Sequence, residues 1–118
     1  MFSVSVQIGE SYLLVVASGP AGPREFHGSN CFLAEMVRQS RKSRVMLDLL
    51  ALQPQLDASG AQEVLMDVRA TMPLMDRLAM LVRQGESLGL VVKAAREKGV
   101  DCREFHDIAA AEAWLVSA

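Results

Sequence analysis

The feature that most constrains the fold is a threefold alternation of short apolar runs with amphipathic helical stripes. The apolar runs, each typical of an interior strand, are RVMLDLL at 44–50, RLAMLV at 77–82 and VDCREF at 100–105. Each run is followed by apolar residues at helical spacing, in 61–72, 88–95 and 108–115. Strands that alternate with helices predict parallel strands joined by right-handed crossovers.

The residues before this alternation predict two strands and a first helix. Apolar and polar side chains alternate over residues 2–8, as in a half-buried strand, and YLLVVAS at 12–18 predicts a second strand. The short turn between them favours an antiparallel hairpin. GPAGP at 19–23 ends the second strand, and Pro23 suits the first turn of a helix. The sequence therefore predicts a single α/β domain over residues 1–118, ordered ββαβαβαβα, with a mostly parallel sheet and an antiparallel N-terminal strand.

Composition and charge exclude several classes of function. The chain has 118 residues, of which 51% are hydrophobic and 22% charged, as is typical of a globular protein. A formal net charge of −2, without basic or zinc-finger motifs, argues against nucleic acid as a partner. No apolar run approaches the roughly 20 residues of a transmembrane helix. The first residues do not resemble a signal peptide, and the two cysteines suit a reducing compartment, so we expect a cytoplasmic protein.

The stretch LDASG, at 56–60, joins a predicted strand to the next predicted helix. Ser59 and Gln62 have the spacing of a capping box, in which the serine caps the helix. Asp57 is well placed at the positive end of that helix, and Gly60 permits close backbone approach. The alternative interpretation is a turn that contacts a partner or binds an anion. The residues alone leave both interpretations open.

Two stretches, LDL at 47–49 and DASG at 57–60, resemble the anti-sigma factor antagonists of the STAS family, and REFHDIAAAEAWL at 103–115 resembles its SpoIIAA-like branch. This resemblance implies a SpoIIAA-like fold, which is related to CRAL-TRIO lipid-exchange domains. It implies a non-catalytic regulatory module for protein–protein interaction, with a partner-binding loop that comprises Asp57, Ala58, Ser59 and Gly60. The alternative that it implies is a carrier or sensor of a small apolar or lipid-like ligand.

The resemblance departs from the family at its phosphorylation site. In the family, the phosphorylated serine directly follows the aspartate of the helix opening, and that position here is Ala58. Ser59 matches the second serine, which is not the usual acceptor. We therefore expect no phosphate at position 58 and little at Ser59.

No pattern predicts catalysis, a metal or a cofactor. His27 and Cys31 are four residues apart, as are Cys102 and His106, but neither pair has a C-x-x-C knuckle. The first pair is predicted on a helix and the second at the last strand, so we do not expect a zinc site. A cysteine or serine nucleophile needs a histidine oriented by a third group, and no local signature such as G-x-S-x-G is present. We expect a protein that is not an enzyme.

The connector MPLM, at 72–75, contains two methionines. Methionine adapts to irregular contacts, so this connector suits either gaps in the core or an interface. The predicted hairpin also has an exposed strand edge, which can pair with another chain. Together these features predict a twofold homodimer, with a candidate interface at Met72, Leu74 and Met75.

Overall fold

The structure, a computed structural model, describes residues 1–118 and has its helices and strands in the predicted order. They are β1 (Ser3–Ile8), β2 (Leu13–Ala21), α1 (Pro23–Ser40), β3 (Arg44–Pro54), α2 (Ala58–Thr71), β4 (Arg77–Leu81), α3 (Gly89–Glu97), β5 (Asp101–Phe105) and α4 (Ile108–Val116). The predicted ββαβαβαβα arrangement is confirmed. None of the helices is long and apolar enough to cross a membrane.

The five strands form one sheet in the order β1-β2-β3-β4-β5. β1 is antiparallel to β2, and every other pair is parallel, as predicted. Because β2 to β5 all run in the same direction, their first residues lie along one end of the sheet and their last residues along the other. We call the end with residues 55–57 and 82–88 the carboxyl end, and the end with residues 9–12, 41–43 and 72–76 the amino end.

Helices cover both faces of the sheet, which explains the continuous apolar runs in its central strands. Val45 and Met46 are consecutive in β3, point to opposite faces and are both 0% exposed. Val45 belongs to the larger core, under α1, α2 and α3. Met46 belongs to a smaller core in which Ala111 and Leu115 of α4 cover the other face.

β2 and β3 extend further than predicted, to Ala21 and Pro54. The GPAGP segment does not end β2, because pairing with β3 resumes at Ser18 after a register shift and continues to Ala21. Pairing with β1 stops at Ser18, so Pro20 lies on a free edge where its missing N–H interrupts no ladder. Gly19 has a φ of +90°, and a Cβ there would lie 2.2 Å from the carbonyl oxygen of Met1. Glycine is thus required for this extension.

Two helix boundaries near the end of the chain have residues typical of such positions. Gly99 follows α3 with a φ of +90°, and the Asp107 side chain caps α4 by accepting from the N–H of Ala110 at 3.1 Å. Ile108, the first residue of the predicted stripe at 108–115, does not point inward, since it is 52% exposed. It opens α4 ahead of the turn at which Ala111 first contacts the sheet.

Candidate functional site

The predicted partner-binding loop lies at the carboxyl end, between β3 and α2. The N–H of Gln55 donates to the carbonyl of Ala21 at 2.8 Å and ties this turn to the end of β2. Gly60 is buried against α1, and a Cβ there would lie 3.1 Å from Cγ of Pro23. Residues 57–59 are exposed. The turn is therefore fixed through its backbone and presents its side chains to solvent.

Asp57, rather than Ser59, caps α2. Its Oδ1 accepts from the N–H of Gly60 at 2.7 Å, and the helix begins directly after it, at Ala58. The prediction that Ser59 is the cap is wrong, because Ser59 already lies within the first helical turn and a cap residue needs an extended backbone. The Asp57 carboxylate occupies the N-terminus that an anion would need, which argues against the anion-binding interpretation.

A second loop, residues 82–88, lies beside this turn and is held by two charged side chains. Arg83 donates from Nη2 to the carbonyl of Leu52 at 3.0 Å and forms an ion pair with Glu86. Glu104, on β5, accepts from the backbone N–H of Leu88, the residue before α3, and so holds the start of that helix against β5. The loop is thus attached to β3 on one side and to β5 on the other.

Two open grooves flank the 82–88 loop. The first, of about 330 Å³, lies over the ends of β3 and β4 and is lined by Leu49, Leu52, Pro54, Val82, Glu86, Ser87 and Leu88. The second, of about 440 Å³, lies between the first turns of α2 and α3 and is lined by Phe26, Leu56, Ala61, Val64, Leu65, Ser87, Leu88, Gly89, Leu90 and Val91. Leu88 lines both grooves, so they form one continuous and mainly apolar surface.

The space between the helices and the sheet is nearly filled. An apolar cavity there measures about 50 Å³. A pocket that buries a drug-sized ligand has a volume of roughly 300–1,000 Å³. The core under α1, α2 and α3 therefore has no room for a lipid-like molecule in this conformation.

The candidate interface residues lie at the amino end, away from both grooves. Leu74 is 85% exposed, whereas Met75 is 4% exposed and packs in the larger core. Met72 is partly buried against the same core. The structure therefore does not bring these three side chains together on one surface, and Met75 fills a gap in the core.

The two histidine–cysteine pairs have different environments. Cys102 is buried beside Sδ of Met80, and burial raises the pKa of the Cys102 thiol to about 12. Cys31 is exposed, with its Sγ 3.5 Å from Nε2 of His27. No group of three histidine, cysteine, aspartate or glutamate side chains lies where it could hold a metal ion.

No protein-family model and no curated protein sequence matches this chain. An uncharacterized protein from Shewanella loihica with a SpoIIAA-like fold superposes with a TM-score of 0.63, at 18% identity over 97% of this chain and 93% of the other. The chain has a SpoIIAA-like fold. An anti-sigma factor antagonist from Mycobacterium paratuberculosis superposes with a TM-score of 0.62, at 11% identity over 99% of this chain and 96% of the other. The anti-sigma factor antagonist SpoIIAA in its unphosphorylated form gives 0.50, at 13% identity over 97% of each chain.

Within this SpoIIAA-like fold, sequence reasoning located the turn at 57–60 but missed the residues that complete the surface around it. Glu104 and Arg83 act on segments that are distant in the chain, and only the pairing of β3, β4 and β5 brings them together. The sequence pattern predicts Leu88 only as part of a helical stripe, and Leu90 lies outside that stripe. Their place beside the stripe of α2 depends on how the two helices pack.

Proposed function

We propose that this protein is a non-catalytic regulatory module that binds another protein through its carboxyl end. The observation that supports this most directly is the continuous apolar surface made by the two grooves around Leu88, next to the exposed turn at 57–59. Two of the structures with the same fold are anti-sigma factor antagonists. The likeness of fold and the open apolar surface favour the same class of function.

The composition of this surface suits a protein partner. Protein interfaces combine an apolar centre with a polar rim. Leu88 and Leu90 supply apolar area at the centre, and Leu90 is 63% exposed. Asp57, Ser59 and Glu86 supply the polar rim. The alternative, a carrier of a lipid-like ligand, is less favoured because the enclosed cavity between the helices and the sheet measures only about 50 Å³.

Partner binding in this proposal does not require phosphorylation of the turn. Ala58 has no hydroxyl group, and Ser59 is exposed without a hydrogen bond of its own. Partner binding depends instead on the apolar grooves. Protein isolated from its own cells should therefore be unphosphorylated at this turn, and intact-mass measurement checks this.

A pair of matched substitutions tests the proposal. Leu90→Glu places a charge on the groove surface, while an acidic residue in the first turn of α3 suits the helix and leaves stability unchanged. Met66→Glu is the control, because Met66 is 67% exposed on α2 and lines neither groove. Affinity capture from the native cells should yield a protein that wild type and Met66→Glu retain and Leu90→Glu loses. Equal capture by all three would contradict the proposal.

We further propose that two copies associate in the cytoplasm. β1 is one of the two edge strands of the sheet, and its outer side pairs with no other strand. Such an edge is a template for a second chain. Light scattering over a hundredfold dilution tests the association, with Leu74→Asp as the variant that separates the exposed connector from the strand edge. A monomer mass at every concentration would contradict the dimer.

A further inference from the structure

A cysteine and a histidine on α1 and an aspartate on α2 form a row of contacts, with the histidine in the middle. Sγ of Cys31 lies 3.5 Å from Nε2 of His27, one helical turn earlier on α1. Nδ1 of the same ring lies 2.7 Å from Oδ1 of Asp67 on α2. The other carboxylate oxygen of Asp67 accepts from Nδ2 of Asn30 at 2.7 Å. A thiol, an imidazole and a fixed carboxylate are thus connected in one chain.

We propose that Cys31 is a nucleophilic thiol that undergoes disulfide exchange with low-molecular-weight disulfides, with His27 as its base and Asp67 as the positioning residue. The carboxylate of Asp67 holds the ring proton on Nδ1, which leaves the Nε2 lone pair facing the thiol. When the thiol proton moves to Nε2, the imidazolium is stabilised by Asp67, whose side chain is only 18% exposed. The remaining thiolate is the attacking species.

Small molecules have access to this site. Cys31 is exposed, and the His27 side chain is 61% exposed. A groove of about 380 Å³, lined by Pro23, Arg24, His27, Glu63 and Asp67, opens on the His27 side, and Cys31 is reached directly from solvent. This groove is separate from the apolar grooves of the proposed partner surface, so the two proposals are tested independently.

The position of Cys31 selects the type of reaction. Acyl transfer needs hydrogen-bond donors aimed at a developing oxyanion. Cys31 lies in the middle of α1, where backbone N–H groups already donate to carbonyls one turn earlier. Disulfide exchange needs only a thiolate, an accessible disulfide and a proton for the leaving thiolate.

The exchange step is balanced without a further oxidant. The Cys31 thiolate attacks one sulfur of the small disulfide, so that a new sulfur–sulfur bond forms as the original bond breaks. The second half of the small disulfide leaves as a thiolate and takes the proton from the His27 imidazolium. The product is a mixed disulfide on Cys31 and one free small thiol.

Other charged groups around the pair are few. Arg24 and Glu35 lie on α1 within about one turn of His27 and Cys31 respectively, and Glu35 is held by Arg38. Glu63 lies on α2 in the same groove but makes no hydrogen bond to the ring. β2, which also packs on α1, carries no titratable side chain. Asp67 is therefore the carboxylate that contacts and orients the His27 ring.

Reaction of the native protein with dithiodipyridine between about pH 5 and 8 tests the proposal. One thiol should react in the folded state and the second only after denaturation, because Cys102 is 0% exposed. We expect His27→Gln to lower the second-order rate constant about tenfold near neutral pH, because the thiol loses the base that accepts its proton. Asp67→Asn should also lower this rate constant. Glu63→Gln, the matched control in the same groove, should leave the rate constant unchanged.

Each rate is divided by that of the same variant in concentrated guanidinium chloride, which removes differences in intrinsic reactivity. Glutathione disulfide should also give a mixed disulfide that mass spectrometry locates at Cys31. Equal normalised rates for wild type and His27→Gln at every pH would overturn the proposal. If Asp67→Asn lowers the unfolding midpoint, His27→Gln still decides, because that side chain is largely exposed and its loss leaves the fold intact.

Discussion

The two ends of the sheet use their polar side chains in opposite ways. At the amino end, long side chains reach the last turn of α4: Arg77 donates to the carbonyl of Trp114 at 2.7 Å, and Arg44 donates to that of Leu115 at 2.8 Å. These cations satisfy carbonyls that a helix end leaves without partners. The polar side chains of the amino end therefore secure the C-terminal helix to the sheet.

At the carboxyl end, polar side chains hold a helix start and the 82–88 loop, and apolar surface stays open beside them. Asp57 caps its own helix within three residues, and Glu104 reaches only the backbone of the adjacent loop. Leu88 and Leu90 are left at the two grooves. In open α/β sheets, ligands bind outside the carboxyl ends of the strands. The comparison indicates that the amino end uses its long cationic side chains to hold a helix end, whereas the carboxyl end leaves two mainly apolar grooves open.

The largest expected effect is at the amino end, in the connector before β4. Met75→Ala should destabilise the protein by about 2–4 kcal/mol, because it removes a buried side chain and leaves a cavity. Leu74→Ala, at the neighbouring exposed position, should change stability by no more than about 0.5 kcal/mol. Urea denaturation of both variants checks this. Similar losses for the two would contradict the assignment of Met75 to the core.

Arg77→Ala should be the next most damaging change, with a loss of about 1–2 kcal/mol, because carbonyls at the end of α4 lose a charged donor. Arg103→Ala is the control: Arg103 also stacks on Trp114, at 4.8 Å from the ring centroid, but donates to no carbonyl of α4. Thermal unfolding separates the two contributions. An equal loss for Arg103→Ala would show that stacking, and not hydrogen bonding, secures the amino end.

At the carboxyl end, we expect a smaller difference in stability between substitutions of two nearby residues of the turn, Asp57 and Ser59. Asp57→Ala should cost about 1 kcal/mol, because the N–H of Gly60 loses its acceptor. Ser59→Ala should leave the denaturation midpoint almost unchanged, since its hydroxyl has no hydrogen bond in the structure. If Ser59→Ala lowers the denaturation midpoint more than Asp57→Ala does, the assignment of Asp57 as the cap of α2 is wrong.

The smallest effect concerns Tyr12, which donates to Oε2 of Glu112 at 2.7 Å at the amino end. This hydrogen bond, together with desolvation and the charge of Glu112, raises the pKa of Tyr12 above its usual value of 10.0. The folded state then holds the proton more tightly, so the stabilisation is complete below about pH 10 and is lost as pH rises through the raised pKa.

Tyr12→Phe removes this contribution. The stability difference between wild type and Tyr12→Phe should therefore be constant near neutrality and shrink above about pH 10. Cys102 also titrates at alkaline pH, but it is present in both proteins and cancels in the difference. Denaturant midpoints across the alkaline range provide the measurement. A difference that grows with pH would contradict the hydrogen bond.

The order of the elements could be predicted because strand and helix periods are local properties of the sequence. The extension of β2 through Gly19 and Pro20 could not, because it depends on where β1 stops pairing. The difference between Leu74 and Met75 could not be predicted either, since a connector follows neither period. The spacing of His27 and Cys31 was visible, but Asp67 reaches them only through the packing of α1 on α2.

The order of strands in the sheet has a consequence for synthesis. Each strand pairs with the strand made just before it, so the sheet can grow in the direction in which the ribosome delivers the chain. The second face is different, because Met46 and Ala79 are covered only by α4. Until α4 has emerged, a nascent chain with all five strands formed displays an apolar sheet face, and this is the interval in which a chaperone has most to bind.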